Sequence, residues 1–220
     1  MKILILTAYD DHIKALSDGC DVSKEEYCRK WGFSFIRVKI NPQPGVHPSW
    51  QKLQILIDHI KLNEYDYIVW LDSDIIITNY TFDIRTLFDD NYALTFPEDW
   101  CAPPGYDPRT KWFSACGIII NCKTVDALNI IKKANEDTYF QNRGCWDQSA
   151  LMALLGRNKE FNDKVHRLPR RTLNAVDKDA DYREGMEVWK HGDFCVHLTG
   201  LGDHKNRLPK IPYYMENRIC

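Results

Sequence analysis

The chain has 220 residues, 44% hydrophobic, 27% charged and 12% aromatic, enough for a full core in one domain or two halves sharing a sheet. Lys+Arg 29 against Asp+Glu 31 leaves a net charge of -2, without the basic footprint of a nucleic-acid binder. No apolar run reaches the roughly 18–20 residues of a bilayer span, and the apolar start Ile3-Leu4-Ile5-Leu6 lacks a signal-peptide pattern.

Residues 2–9 alternate little and read as a strand buried on both faces, as a parallel sheet requires. Ser23-Lys24-Glu25-Glu26 has the form of a capping box opening a helix, with Gly32 as its stop. Residues 33–40 are a second strand, closed by the turn-rich Asn41-Pro42-Gln43-Pro44-Gly45. Trp50, Leu53, Leu56, Ile57 and Ile60 fall at helical spacing and predict an amphipathic helix over 49–63. Residues 67–71 and 75–77 are apolar and bracket Asp72-Ser73-Asp74, as a central strand with two carboxylates at its far end.

A short helix is expected over 81–88 and a strand over 93–96. A long loop rich in Pro, Gly and aromatics covers 98–112, and another buried strand covers 114–121. Helices follow over 124–135 and over 147–155, the latter stopped by Gly156. Residues 157–171 are locally basic, and 193–199 form a last short strand. None of the eight cysteines forms a Cys-x-x-Cys pair, so a structural zinc site has no support. Cys116 and Cys122 sit too far apart along one strand to bond, and free thiols in a reducing compartment are expected. Strands alternating with helices indicate an α/β layered fold.

The sharpest chemical feature is Val69-Trp70-Leu71-Asp72-Ser73-Asp74. Carboxylates beside a core cost free energy unless paired or coordinated. Two of them one residue apart leave a strand on the same side, where their oxygens suit Mg2+ or Mn2+. Capping of a turn by the same side chains is the plainer alternative. His197, in Val196-His197-Leu198-Thr199-Gly200, ends a second apolar run beside a glycine. A lone histidine is more often a core residue than a ligand, but Asp, Asp and His together make a set that fits Mn2+.

Four blocks in order resemble the GT-A glycosyltransferases, most closely the fungal galactosyl- and mannosyltransferases and plant xylosyltransferases. Trp50-Gln51-Lys52-Leu53 is similar to that group's Trp-x-Lys-Ile block, and Trp70-Leu71-Asp72-Ser73-Asp74 to its metal motif. Trp146-Asp147-Gln148-Ser149-Ala150-Leu151 resembles its Asp/Glu-Gln-x-Ala-Leu block, and Gly192-Asp193-Phe194 through His197-Leu198-Thr199-Gly200 its terminal histidine block. Two departures stand out. Leu201 replaces a cysteine usual after that block, and the family's Lys-Pro-Trp is represented only by a later Lys205-Asn206-Arg207.

The resemblance implies a GT-A α/β fold, a Rossmann-like mixed sheet flanked by helices with an abutting acceptor-side subregion. Residues 1–220 would form one domain, with a nucleotide-binding half to about residue 80 and an acceptor and catalytic half over about 81–207. It implies a Mn2+- or Mg2+-dependent transfer of a hexose or pentose from a nucleotide-diphosphate sugar, UDP-linked, to a glycan or glycoprotein. Asp72, Asp74 and His197 would hold the metal. Thr7, Ala8, Tyr9, Lys52, Asp72, Ser73, Gly200 and Lys205 would bind the donor, with Tyr9 stacking on the base. Asp147 and Gln148 would face the reacting carbon, and a retaining outcome is favoured over an inverting one.

Asp99, Trp100, Tyr106 and Trp112 are the acceptor candidates, since aromatic faces pack on sugar C–H surfaces. Without an N-terminal anchor, the chain suits a soluble cytoplasmic enzyme of the kind large algal viruses use to glycosylate capsid protein, acting in the host cytoplasm. A catalytic fragment from a secretory lumen is the alternative.

Two other classes compete. Asp-x-Asp after an apolar strand also opens haloacid-dehalogenase-type phosphatases, but on the first strand, and the matching Gly-Asp-x-x-x-Asp is lacking at Gly192-Asp193. A non-catalytic nucleotide-sugar-binding module would show the same blocks. A Rossmann oxidoreductase is disfavoured because no Gly-x-Gly-x-x-Gly follows the first strand.

Overall fold

The structure, a computed structural model of the chain, describes residues 1–99, 112–180 and 187–220. Trp100, Tyr106 and most of the aromatic loop lie outside the described residues. Eight strands are seen among the described residues: β1 Ile3–Tyr9, β2 Ser34–Lys39, β3 Tyr67–Leu71, β4 Ile75–Ile77, β5 Leu94–Pro97, β6 Gly117–Asn121, β7 Val165–Leu168 and β8 Cys195–His197. The four longer helices are α1 Lys14–Trp31, α2 Gln51–Lys61, α3 Val125–Asn135 and α4 Trp146–Arg157. Four short ones follow, α5 Lys159–Asn162, α6 Arg171–Asn174, α7 His204–Arg207 and α8 Ile211–Glu216.

Six strands form one mixed sheet in the order β2-β1-β3-β6-β5-β7, with β6 running against its neighbours β3 and β5. Successive residues of β1 and β3 feed opposite faces. Leu4, Leu6, Ile68 and Trp70 pack with Leu53, Leu56, Ile130 and Leu151 of α2, α3 and α4. Ile3, Ile5, Tyr67, Val69 and Leu71 pack with Tyr27 of α1 and Leu173 of α6. Because both faces are covered, these strands read as continuous apolar runs.

Several expectations from the sequence need correction. The run 67–77 is two strands in two sheets. After Leu71 the chain turns through Asp72-Ser73-Asp74, and β4 pairs with β8 in a separate two-stranded sheet, Ile75 opposite His197. Helix α1 begins at Lys14, so Ser23 is an interior residue. Its hydroxyl donates to Cys20 O and accepts from Ile77 N, stitching α1 to β4. Gly32 does stop that helix, in the left-handed conformation at φ 69 that a side chain disfavours. Helix α4 runs past Gly156 to Arg157, and the basic stretch after it contains the strand β7. The seven described cysteines are free thiols.

Candidate active site

β1 and β3 are parallel and end side by side, Leu6 opposite Trp70. Open α/β sheets bind ligands beyond the carboxyl ends of such strands. The Asp72-Ser73-Asp74 turn lies there. Asp72 N donates to Cys116 O (2.8 Å) and Ile75 N to Asp72 O (3.1 Å), which fixes the turn. Leu198 N donates to Asp74 O (3.0 Å), drawing the end of β8 against it. The ligand atoms of Asp72, Asp74 and His197 consequently lie within 4.8 Å of one another. The tight turn, rather than an extended strand, puts the two carboxylates together.

His197 Nδ1 is 2.9 Å from Asn174 Oδ1. An amide oxygen only accepts, so Nδ1 must carry hydrogen and Nε2 is the atom turned towards Asp74 Oδ1, at 3.3 Å. A bare Nε2 would face a carboxylate with lone pair against lone pair. A proton on Nε2, or a cation bridging the two groups, relieves that contact. Burial would lower the His197 pKa, but the Asp74 carboxylate outweighs it and holds the imidazole well above its ordinary value. Burial likewise opposes ionisation of Asp74, while His197 and Arg207 overcome it and keep that carboxyl well below the usual carboxylate range. Two carboxylates and one imidazole fixed by an amide make a donor set that fits Mn2+ or Mg2+.

On the other side of Asp72 stands Lys52 of α2, 5% exposed. Its ammonium lies 3.0 Å from Asp72 Oδ1, 2.9 Å from Asp147 Oδ2 and 2.8 Å from Ala115 O. The ammonium thus already has three protein oxygens within 3.0 Å, and a diphosphate would have to share it. Trp70 Nε1 also donates to Asp72 Oδ1 (2.6 Å). Asp147 is buried at the first turn of α4, and its Oδ2 faces Lys52 without hydrogen-bond alignment. Burial pushes its pKa up to about 6; Lys52 opposes the rise and nearby Asp72 adds to it.

The residue before it, Trp146, has a left-handed backbone at φ 45, unusual for a bulky side chain. Its ring stacks on His47 with centroids 3.5 Å apart and planes 5° apart, which anchors the turn that aims Asp147 inward. Gln148 Nε2 donates to Asp99 Oδ2 (2.9 Å), and its Oε1 accepts from Ala115 N (2.9 Å). Asp99, Gln148, Asp147 and the metal motif are therefore linked through one chain of contacts.

The remaining predicted residues spread outward. Thr7 and Ala8 are buried in β1, Thr7 with its hydroxyl unpartnered, and half-buried Tyr9 has the Arg37 guanidinium 3.8 Å over its ring. Ser73 O accepts from Lys24 Nζ (3.4 Å). Gly200 takes a positive φ of 75, and Lys205 is exposed on α7. Trp112 is partly buried and packs on the core. Three contributors went unrecognised in the sequence. Asn174 orients His197, and fully buried Lys24 bridges Asp21 (2.7 Å) to the metal-motif turn. Arg207, two residues beyond Lys205, reaches Asp74 Oδ2 at 2.6 Å. The basic run 205–207 was visible, but which of its cations turns inward was not.

Residues 2–95 match the profile of the galactosyl transferase GMA12/MNN10 family. That stretch contains the Trp50 and Trp70 blocks; the Trp146 and His197 blocks lie beyond it. A solved glycosyltransferase involved in the glycosylation of the major capsid of PBCV-1 superposes with a TM-score of 0.74 at 19% identity, covering 97% of this chain and 100% of that one.

The fold is GT-A. A second GT-A structure, the galactosyltransferase LgtC with donor and acceptor sugar analogs, gives a TM-score of 0.63 at 15% identity over 97% of this chain and 94% of that one. The bifunctional glycosyltransferase WbbM gives 0.60 at 14% identity, covering 98% of this chain and 51% of that one. No curated protein matches the chain by sequence. Both the expected α/β layering and the resemblance read from the ordered blocks are borne out. Among the described residues, no helix is long and apolar enough to cross a membrane.

Proposed function

We propose that this chain is a divalent-metal-dependent glycosyltransferase that moves a sugar from a UDP-linked donor to a glycan or glycoprotein. The observation that carries this reading is the convergence of Asp72, Asp74 and His197 beyond the ends of β1 and β3 in a GT-A fold. Mn2+ is the favoured ion, because an imidazole joins the carboxylates, and Mg2+ is the alternative. A bound ion would supply Lewis-acid neutralisation of the charge developing on the departing diphosphate.

The protein's own groups then divide the work. Residues 7–9 line the nucleotide edge, and Arg37 steadies the Tyr9 ring so that its other face can meet the base. Asn174 keeps Nε2 of His197 directed at the cluster. Lys52 holds Asp72 and Asp147 in one frame. Gln148, clamped between Ala115 N and Asp99, presents a fixed amide beside Asp147 at the sugar. These neighbours favour a retaining outcome, in which Asp147 and Gln148 position the donor and stabilise positive charge developing at the reacting carbon. Residues 1–80 form the nucleotide half in this reading and 81–207 the acceptor half. A glycoprotein acceptor is suggested by the likeness to the enzyme involved in capsid glycosylation.

Calorimetry with UDP, with and without Mn2+, tests the proposal: binding should require the ion and disappear in Asp74→Ala. UDP binding that ignores Mn2+ would sink it. Turnover of a generic phosphate ester would point to a phosphatase, and donor binding without transfer or hydrolysis to a binding module.

A further inference from the structure

One cation in the cluster has no place in the reading above. Arg207 comes from α7, a helix of four residues after β8 and its glycine turns. Asp203 caps that helix, accepting from Lys205 N at 2.9 Å. The Arg207 side chain folds back over the turn, Nε and Nη2 donating to Gly202 O at 3.2 and 2.9 Å. That leaves Nη1 to bond Asp74 Oδ2 at 2.6 Å. Asp74 is therefore held on both oxygens, by His197 on Oδ1 and by Arg207 on Oδ2. The guanidinium thus already occupies one oxygen of a carboxylate that a metal ion would use.

We propose that Arg207 is a competing counter-ion for the metal: it fastens the 201–208 segment to Asp74 in the metal-free protein, and a divalent ion entering the Asp72, Asp74 and His197 cluster displaces it. The inference rests on the metal-site reading above. Its physical basis is that a divalent ion and a guanidinium sharing one carboxylate repel each other, and Asp74 itself is largely buried. A carboxylate that exchanges a short charged hydrogen bond for a metal bond gives up part of its binding free energy, so Arg207 sets how tightly the ion is held. When Arg207 leaves, the segment loses its ion pair to the metal motif. It keeps Asn206 Nδ2 on Leu201 O, the His204–His12 ring contact and the packing of Leu201 and Leu208, around a turn in which Gly200 and Gly202 are both at positive φ. Metal binding should therefore loosen residues 201–208.

The test is titration of MnCl2 into the full chain without nucleotide, read by the electron paramagnetic resonance of free Mn2+, together with hydrogen exchange of 201–208. Arg207→Gln should bind Mn2+ roughly tenfold more tightly than the parent, and Arg207→Lys should lie between them. Lys159→Gln, on the remote α5, controls for net charge and should leave the affinity alone. Exchange in 201–208 should rise on adding Mn2+ to the parent and already be high in Arg207→Gln. Equal or weaker Mn2+ binding by Arg207→Gln, or exchange that Mn2+ does not change, overturns the inference. A parent that binds Mn2+ but never UDP would remove the glycosyltransferase reading and leave this inference standing. Failure of parent and Arg207→Gln alike to bind Mn2+ without nucleotide overturns this inference, while UDP binding with and without Mn2+ decides the glycosyltransferase reading separately.

Discussion

Two buried aspartates in one site, Asp74 at 7% exposure and Asp147 at 3%, are driven in opposite directions. At the metal-motif turn, Asp74 has His197 on one oxygen and Arg207 on the other, and is held far below its ordinary pKa. At the start of α4, Asp147 shares the single ammonium of Lys52 with Asp72, and its pKa rises to about 6. Burial is nearly the same for the two; the number of cations each carboxylate can claim differs. One site thus holds one carboxylate whose charge is stabilised and another whose pKa is raised by burial, a separation of environments that acid–base and metal chemistry both use.

Removing the shared cation should break this contrast most severely. Lys52→Met leaves two carboxylates in a largely buried frame without their ammonium. It should cost on the order of 3–5 kcal/mol in urea unfolding, as loss of one partner of a buried ion pair does. Lys52→Met with Asp147→Asn should recover part of that loss. A cost below about 1 kcal/mol for the single variant would show that Lys52 does not hold the frame.

The next test is the pH dependence of stability. The folded pKa of Asp147, about 6, lies above its ordinary value of 3.8. Its contribution therefore favours the fold fully below about pH 3.8 and is lost as pH rises through 6. The loss has an upper limit of about 3 kcal/mol. Asp147→Asn removes that dependence, so its stability relative to the parent should improve between pH 4.5 and 7.5. An unchanged difference at the two values would place the proton elsewhere.

The smallest expected effect concerns Asp74's side of the contrast. Asn174→Ala leaves His197 Nδ1 without its partner and frees the ring to turn. Mn2+ affinity should fall roughly 10-fold, within the range for loss of a ligand-orienting hydrogen bond. Asn174→Asp should restore it, since a carboxylate also accepts from Nδ1. Equal affinity in all three proteins would show that the ring is held by packing alone.

Much of the candidate site could be read from local pattern. Asp72 and Asp74 stood out because carboxylates directly after Val69-Trp70-Leu71 contradict the run they end, and His197 stood out after Phe194, Cys195 and Val196 in the same way. Strand cores at 67–71 and 75–77 were legible because both faces of each are covered, which leaves apolar runs without alternation. The start of α1 was misread because it has no side-chain cap at Ile13, while Ser23 imitates one in mid-helix. Ser17, Asp21, Ser23 and Lys24 look like a solvated face, yet they point inward to a buried polar network.

What the sequence determined by itself is what depends on near neighbours: apolar runs, the carboxylates that end them, the glycine that stops α1, and the order of the four blocks. Tertiary structure alone decided which distant groups meet those carboxylates. Ion pairs and hydrogen bonds are satisfied through space, and their geometry leaves no periodic trace along the chain. Lys52 and Arg207 reach the metal motif, and Asn174 reaches its partner His197, from a helix before the motif and two segments far behind it. Their arrangement settles that Asp74 is doubly paired while Asp147 must share.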